Sequence, residues 1–194
     1  MAELRSLCVY CGSSNTVAPQ FLQAAFGFGQ LLGRAGLELI YGGGRVGMMG
    51  QVADGALAEG GRVTGIIPGH LHRAEVAHDG LTELLVVASM HERKQHMAER
   101  ADAFVILPGG FGTLDEMFEI ITWRQLGLHD KPVVLVDLDH YWQPLERLVD
   151  HFAGHGFITA ANRNLYQRVE RIDQVLPALA AAPASSRPLA ADRL

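Results

Sequence analysis

The sequence predicts a single α/β domain built on a doubly wound, Rossmann-like parallel sheet. Two observations lead to this prediction. Short apolar segments alternate along the chain with longer segments of helical periodicity, and glycine-rich turns directly follow several of the apolar segments. Strands that alternate with helices form parallel sheets covered on both faces, with right-handed crossovers. Because ligands bind beyond the carboxyl ends of such strands, the turns that follow them are the expected site.

The predicted elements follow from these patterns in chain order. Short apolar segments predict strands at residues 4–10, 37–41, 62–68, 84–87, 103–107 and 132–137, with a last short strand at 165–170. Helical spacing predicts helices at 19–34, 48–59, 90–100, 114–126, 141–153 and 172–181. Residues 69–80 and 154–164 are expected to be irregular. Phe118 should lie on the inner face of the predicted helix at 114–126, and Leu148 on that of the predicted helix at 141–153.

Composition limits the class of protein. With 194 residues, 48% of them hydrophobic, the chain fits one large core, so we expect one domain over residues 1–182 and a flexible tail over 183–194. The net charge of −5 argues against a broad nucleic-acid surface. No apolar run reaches the ~18 residues that span a membrane, and the first residues lack a signal-peptide pattern. The sequence therefore predicts a cytoplasmic protein with no nucleic-acid or membrane partner.

Neither the cysteines nor the histidines predict a metal site. The spacing of Cys8 and Cys11 would fit a redox dithiol or half of a metal site. However, they fall on or beside a predicted strand, where positions three apart face opposite sides, which favours two small buried side chains. The histidines at 70, 72, 78, 91 and 96 form no H-E-x-x-H or Cys–His pattern, so we expect them to be solvated.

The strongest candidate site is residues 108–116 (PGGFGTLDE), between a predicted strand and a predicted helix. Three glycines allow a positive φ and the close approach of a ligand. The first helical amides have no internal partner and carry the positive end of the helix dipole, which favours an anion, most often phosphate. Thr113 adds a hydroxyl group, and Glu116 adds a carboxylate one turn into the helix. A carboxylate fixed beside a phosphate site indicates chemistry as well as binding.

A second glycine-rich turn, residues 42–47 (GGGRVG), follows the second predicted strand. The chain contains neither the G-x-G-x-x-G fingerprint after its first strand nor a G-x-x-x-x-G-K-[ST] motif. NAD and ATP are therefore disfavoured, and we expect no cofactor. This turn, residues 69–80 and the polar turn 11–15 (CGSSN) should converge with residues 108–113 at one edge of the sheet.

Two motifs resemble those of the Lonely Guy (LOG) family. Residues 108–116 match its P-G-G-x-G-T-x-x-E motif, and residues 90–94 (MHERK) match its M-x-x-R-K motif. Residues 11–14 (CGSS) and 41–44 (YGGG) are similar to its two other loops. The resemblance extends over about residues 4–158.

The resemblance implies a cytokinin riboside 5′-monophosphate phosphoribohydrolase. Such an enzyme cleaves the N-glycosidic bond of N6-modified AMP, and often of AMP itself, and releases the base and ribose 5-phosphate. It implies that Glu116 and Arg93 are the catalytic pair, and that the protein is a homodimer with its site near the subunit interface. The nucleotide-binding residues implied are Gly43, Gly44, Glu75, Arg93, Lys94, Gly109, Gly110, Phe111, Gly112, Thr113, Leu114, Asp115 and Thr122.

Several alternatives stay open at this point. Glu116 could stabilise a positively charged ribose, activate water, or do both. Arg93 could orient that carboxylate through a bidentate pair, or donate to the leaving base or the ribose. A general purine 5′-nucleotide nucleosidase and a non-catalytic nucleotide carrier are the competing functions. Many family members are labelled lysine decarboxylases, but the two lysines here, Lys94 and Lys131, have no recognisable pyridoxal-phosphate context.

Overall fold

The structure, a computed structural model, describes residues 4–72, 77–183 and 189–190. The strands are β1 (Ser6–Tyr10), β2 (Glu38–Tyr41), β3 (Val63–Pro68), β4 (Glu83–Val87), β5 (Ala103–Ile106), β6 (Val133–Val136) and β7 (Gln167–Val169). The helices are α1 (Pro19–Arg34), α2 (Gly47–Ala58), α3 (Gly69–Leu71), α4 (Met90–Arg100), α5 (Phe111–Gln125), α6 (Gln143–Gly154), α7 (Ala160–Arg163) and α8 (Val175–Ala181).

The strands form one seven-stranded sheet in the order β4–β3–β2–β1–β5–β6–β7, and each pair of neighbours is parallel. At the centre, Cys8 of β1 lies opposite Ile40 of β2 and Phe104 of β5. The chain thus builds outward from β1 in one direction and then from β5 in the other. This confirms the predicted doubly wound fold, and it leaves a crevice between β1 and β5, where the strand order reverses.

Helices cover both faces of the sheet, because its central strands are apolar on both sides. Leu7 and Val9 of β1 belong to the core under α1, α2 and α8. Cys8 and Tyr10 belong to the core under α4, α5 and α6. Cys11, just after β1, returns to the first core. The two cysteines are therefore free thiols on opposite faces, in agreement with the strand interpretation, and burial raises the pKa of both above its usual value.

The bounds of α1 and α4 agree with the prediction, but α5 begins at Phe111 and not at residue 114. The predicted start was late because the glycines at 109, 110 and 112 were assigned to the loop, whereas Gly112 belongs to the first turn of α5. The predicted inner faces were also wrong in part, since Phe118 is 40% exposed and Leu148 is 45% exposed.

The segments predicted as irregular contain the one-turn helices α3 and α7. In the predicted tail, the Ala190 amide donates to the Leu128 carbonyl oxygen at 2.9 Å. The domain limit at residue 182 stays a prediction. Among the described residues, none of the helices combines the length and the apolar character needed to cross a bilayer.

Helices α1 and α2 pack backbone against backbone through glycines. A Cβ atom on Gly29 would lie 2.1 Å from the carbonyl oxygen of Val52, and one on Gly55 would lie 2.0 Å from that of Phe26. Both positions therefore require glycine if the helices are to stay this close. Since α2 follows a loop at the central crevice, this packing also fixes one side of that crevice.

Replacing Gly29 with alanine should lower the free energy of unfolding by about 1–3 kcal/mol, because the two helices must separate to admit the methyl group. Gly27 of the same helix provides the control: its added Cβ would meet Ile172 Cδ1 at 3.4 Å, an ordinary contact. Gly27→Ala should raise the free energy of unfolding by up to about 1 kcal/mol, because alanine has a higher helix propensity than glycine. Urea unfolding followed by circular dichroism measures both, and equal stability of the two variants would contradict the close contact.

Candidate active site

A cavity of about 650 Å³ opens at the carboxyl ends of β1, β2 and β5. It lies where the strand order reverses, as expected for a doubly wound sheet. The polar and backbone part of its wall comes from Cys11, Gly12, Ser13, Ser14, Gly42, Gly44, Arg93, Pro108, Gly109, Gly110, Gly112, Thr113 and Glu116. The apolar and aromatic part comes from Val17, Phe21, Val46, Met48, Met49, Ile67, Leu71, Phe111 and Tyr141. The predicted convergence of the loops after β1, β2 and β5 is thus observed.

The start of α5 forms the floor of the cavity. Gly110 is the N-cap residue and offers no side-chain cap, and the first internal hydrogen bond runs from the Leu114 amide to the Gly110 carbonyl oxygen at 3.0 Å. The amides of the first turn therefore have no partner within the helix. They carry the positive end of the dipole of a 15-residue helix. This is a suitable place for an anionic group.

The glycines at this helix start serve close approach and not a positive φ. Gly109, Gly110 and Gly112 are not among the glycines with positive φ. A Cβ on Gly109 would lie 2.0 Å from Thr113 Oγ1, whereas a Cβ on Gly110 or Gly112 would meet nothing within 4 Å. Gly109 is therefore required by packing against the buried Thr113, and the other two glycines leave the backbone open to the cavity.

Arg93 and Glu116 form an ion pair at the side of the cavity. Nη1 of Arg93 lies 3.0 Å from Oε1 of Glu116, and both side chains are only 10% exposed. The Nε–H of Arg93 donates to the carbonyl oxygen of Ile66 at 3.2 Å. A Cβ on Gly42 would lie 1.8 Å from Arg93 Nη2, so the guanidinium can reach Glu116 only because residue 42 is glycine.

Burial controls the charge of Glu116. Removal from water raises the pKa of this carboxyl from 4.5 to about 7, and the Arg93 guanidinium opposes the rise without cancelling it. Asp115 raises the pKa further and Lys94 lowers it. Near neutral pH, Glu116 can therefore both hold and release a proton, which a general base requires.

Five predicted binding residues lie elsewhere. Among the described residues, the cavity wall does not include Gly43, Lys94, Leu114, Asp115 or Thr122. Gly43, with φ +74°, instead packs its backbone against Ile67 and Leu84.

The Lys94 ammonium is held away from the cavity by two carboxylates. Its Nζ lies 3.2 Å from Asp115 Oδ2 and 3.0 Å from Glu119 Oε1. Asp115 and Thr122 are exposed on the outer side of α5. The remaining predicted residue, Glu75, lies outside the described residues.

Tyr141, which lines the cavity, was not identified from the sequence. Its hydroxyl group donates to the carbonyl oxygen of Gly109 at 2.7 Å, and its ring packs edge-on against Phe21. Neither aromatic residue belongs to a motif, and each lies far along the chain from residues 108–116. No local sequence signal identifies them.

The histidines of the described residues can be compared with the solvated state that the sequence predicts. In the part of the chain that the structure describes, no three His, Cys, Asp or Glu side chains lie close enough to hold a metal ion together. His78 differs from the predicted solvated state, because its Nε2 lies 2.9 Å from Asp54 Oδ1 and its Nδ1 accepts the Gly80 amide at 3.0 Å. It ties residues 78–80 to α2, which is a structural role.

The fold and the cavity define the class of protein. It is a Rossmann-like α/β protein whose site, at the place where the strand order reverses, combines a helix N-terminus with a buried carboxylate. Residues 49–179 match the model of a family described as "Possible lysine decarboxylase". The chain is 48% identical, over 161 residues, to a cytokinin riboside 5′-monophosphate phosphoribohydrolase of Rhodococcoides fascians, covering 82% of this chain and 81% of that protein. It is 44% identical, over 165 residues, to a cytokinin riboside 5′-monophosphate phosphoribohydrolase of Arabidopsis thaliana, covering 84% of this chain and 76% of that protein. The chain belongs to the Lonely Guy family.

A solved structure shares the fold. The molybdenum cofactor binding protein of Rippkaea orientalis matches with a TM-score of 0.70 at 22% identity, covering 93% of this chain and 98% of that one. At this level of identity the likeness concerns the fold alone.

The lysines do not fit the chemistry that the family description suggests. Pyridoxal phosphate requires a lysine that can form a Schiff base with it. Lys131 is buried and donates to the carbonyl oxygens of Ala98 and Glu99 at the end of α4, at 2.8 and 3.3 Å. Lys94 is held by Asp115 and Glu119. Neither lysine reaches the cavity, so this site is not suited to pyridoxal phosphate.

The carboxyl of Glu116 should titrate near pH 7, and Gly42→Ala should raise its pKa further. The added methyl group must displace the Arg93 guanidinium, whose positive charge lowers this pKa. ¹³C NMR of protein labelled at the glutamate δ-carboxyl carbons measures both values, and Glu116→Gln assigns the resonance.

Gly154→Ala is the matched control, because its added Cβ would meet nothing within 4 Å and lies outside the cavity. It should leave the titration unchanged. A wild-type pKa near 4.5, or an unchanged pKa in Gly42→Ala, would contradict this account of the ion pair.

Proposed function

We propose that this protein hydrolyses the N-glycosidic bond of N6-modified adenosine 5′-monophosphates, and of AMP, to give the free base, a cytokinin, and ribose 5-phosphate. Membership of the family supports this activity, since relatives at 48% and 44% identity carry the corresponding name. The observation that carries the proposal for this chain is the buried Arg93–Glu116 pair beside the start of α5. The start of α5 can hold a phosphate, while Glu116 on the next turn presents a carboxylate to the ribose.

The 5′-phosphate would bind at the start of α5. The amides of residues 109–113 supply donors at the positive end of the helix dipole. Thr113 is 3% exposed and lines the cavity, so its hydroxyl group can add a further hydrogen bond. Open backbone at Gly110 and Gly112 lets phosphate oxygens come close. Binding the phosphate here places the ribose over the next turn of α5, which carries Glu116.

Glu116 would act on the ribose carbon. Cleavage of a ribosyl C–N bond builds positive charge on the sugar, as in glycoside hydrolysis, and a nearby carboxylate stabilises it. As the C1′–N9 bond breaks, a water oxygen bonds to C1′ and its proton passes to Glu116. The departing purine then takes a proton. With a pKa of about 7, Glu116 can accept the proton and give it up again.

The geometry favours the orienting role for Arg93. Its Nη1 is paired with Glu116 and its Nε donates to Ile66. A side chain fixed at two points is well suited to hold a carboxylate in place and to keep it ionised. The ion-pair contact joins Arg93 Nη1 and Glu116 Oε1 at 3.0 Å, and the bidentate form of the pair stays a prediction.

The apolar wall favours N6-modified nucleotides over a general nucleosidase. Val46, Met49, Ile67 and Leu71 line the side of the cavity formed by α2, β3 and α3. An apolar substituent on the purine N6 would be removed from water there, which stabilises binding by about 0.8 kcal/mol per buried CH₂ group. A non-catalytic carrier would gain nothing from a buried carboxylate, which repels a phosphorylated ligand.

Wild-type protein incubated with AMP or N6-isopentenyl-AMP should release free base and ribose 5-phosphate, which chromatography detects. Glu116→Gln should fold and bind nucleotide but lose at least about 100-fold in kcat, because the carboxylate acts as base and charge stabiliser. Glu99→Gln, an exchange of the same kind on α4 outside the cavity, is the control and should retain wild-type rates. Intact nucleotide from both substrates, or normal turnover by Glu116→Gln, would refute the hydrolase.

We also propose that the protein is a cytoplasmic homodimer with its cavity near the interface. Met90 and Phe118, on α4 and α5, are 38% and 40% exposed. Lys94 and Thr122, implied by the resemblance to bind nucleotide, belong to the same helices but not to the cavity wall. A second copy packed on these helices would bury this apolar surface and bring such residues nearer to a bound nucleotide.

Sedimentation equilibrium at micromolar concentration should give the mass of a dimer. Phe118→Glu should shift the equilibrium toward monomer, since a charge would be buried at the interface. Leu148→Glu, at a similarly exposed position on α6, should leave the dimer intact. A wild-type monomer, or dissociation by Leu148→Glu alone, would count against this interface.

A further inference from the structure

The loop that precedes α5 is held by hydrogen bonds to two successive carbonyl groups. The Gly12 amide donates to the Pro108 carbonyl oxygen at 3.0 Å. The Tyr141 hydroxyl group donates to the Gly109 carbonyl oxygen at 2.7 Å. These two contacts come from different parts of the fold, one from the end of β1 and the other from the turn before α6.

Each contact also fixes the direction of an amide. In a trans peptide the C=O and the following N–H point in opposite directions. A carbonyl group of Gly109 that points to Tyr141 therefore directs the Gly110 N–H away from Tyr141. Gly109 and Gly110 are both glycine, so the peptide between them has little intrinsic preference for one orientation. An external donor is needed to hold it.

We propose that Tyr141 is a positioning residue for phosphate: its hydroxyl group fixes the Gly109–Gly110 peptide so that the Gly110 amide faces the anion at the start of α5. This inference rests on the proposed function, in which a 5′-phosphate occupies that place. Tyr141 acts through the loop backbone and not on the reacting atoms.

The surroundings of Tyr141 suit a fixed donor. Its ring packs edge-on against Phe21 at 5.7 Å and against Trp142 at 4.9 Å between centroids. The Trp142 amide donates to Asp137 Oδ1 at 2.6 Å, and Arg168 holds the other oxygen of this buried carboxylate at 2.8 Å. The residue is thus anchored on both sides, by α1 and by the carboxylate at the end of β6.

The turn that precedes Tyr141 has an unusual backbone conformation. Asp139 and His140 have φ values of 54° and 59°, the left-handed region that residues with a side chain rarely adopt. Both residues lie in the short segment between Asp137 and Tyr141. Strain of this kind persists where the surrounding structure determines the conformation, often next to a site.

Tyr141→Phe keeps the ring and removes the donor, so it separates positioning from packing. Binding of ribose 5-phosphate, measured as competitive inhibition of AMP hydrolysis, should weaken about three- to tenfold, the usual effect of one lost hydrogen bond. KM for AMP should rise to a similar extent, and kcat should change less than about twofold, because the phosphate is held alike in the ground and transition states. Inhibition by adenine, which has no phosphate, should be unchanged.

Tyr166→Phe is the matched control, since it removes a hydroxyl group that donates to Glu146 and does not line the cavity. It should leave both inhibition constants unchanged, and thermal unfolding should report a folded Tyr141→Phe. Equal affinity of wild type and Tyr141→Phe for ribose 5-phosphate would overturn this inference alone, as would a parallel loss for adenine. A wild type that neither binds ribose 5-phosphate nor hydrolyses AMP would overturn the proposed function and this inference with it.

Discussion

The ion pair between Arg93 and Glu116 is the interaction on which the arrangement of the cavity depends. Arg93 comes from α4, contacts the carbonyl oxygen of Ile66 on β3, and passes over Gly42 at the end of β2. Glu116 comes from α5, on the other side of the strand reversal. Removal of Glu116 would leave the buried guanidinium of Arg93 without its partner, which typically costs about 3–5 kcal/mol. The two halves of the sheet are therefore linked through the same groups that form the site.

Sequence patterns predicted the fold well because the fold depends on the spacing of apolar residues in its strands and helices. The alternation of strands and helices, the strand-reversal site and the convergence of three loops all follow from it. The same patterns misplaced the inner face of α5, because two of its buried positions are Thr113 and Glu116. An apolar pattern assigns polar residues to the exposed face of a helix, even where they are buried. Phe118 was therefore predicted to face inward instead of Thr113 and Glu116.

Contacts between residues far apart along the chain could not be predicted from the sequence for a different reason. Tyr141 reaches Gly109 across 32 positions, and Gly42 makes room for an arginine that lies on another helix. The resemblance to the family implied that Arg93 and Glu116 act as a pair. It did not distinguish Arg93 from the neighbouring Lys94, which contacts Asp115 and Glu119. Adjacent residues on a helix point about 100° apart, and only the packing of α4 on α5 decides which of them enters the cavity.

The fold alone does not decide between an enzyme and a carrier. A solved structure of a molybdenum cofactor binding protein shares the fold, and one fold can serve several functions. The distinction lies in Glu116. Holding this carboxylate charged in the free protein costs on the order of 3 kcal/mol at pH values above its pKa of about 7. Such a cost has no use in a carrier.

In a hydrolase this free energy is recovered when positive charge develops on the ribose, because a carboxylate shielded from water stabilises a nearby cation more strongly than a solvated one does. In the proposed complex the phosphate and the carboxylate would repel each other. The site would then need both the helix amides, which neutralise the phosphate, and Arg93, which neutralises Glu116.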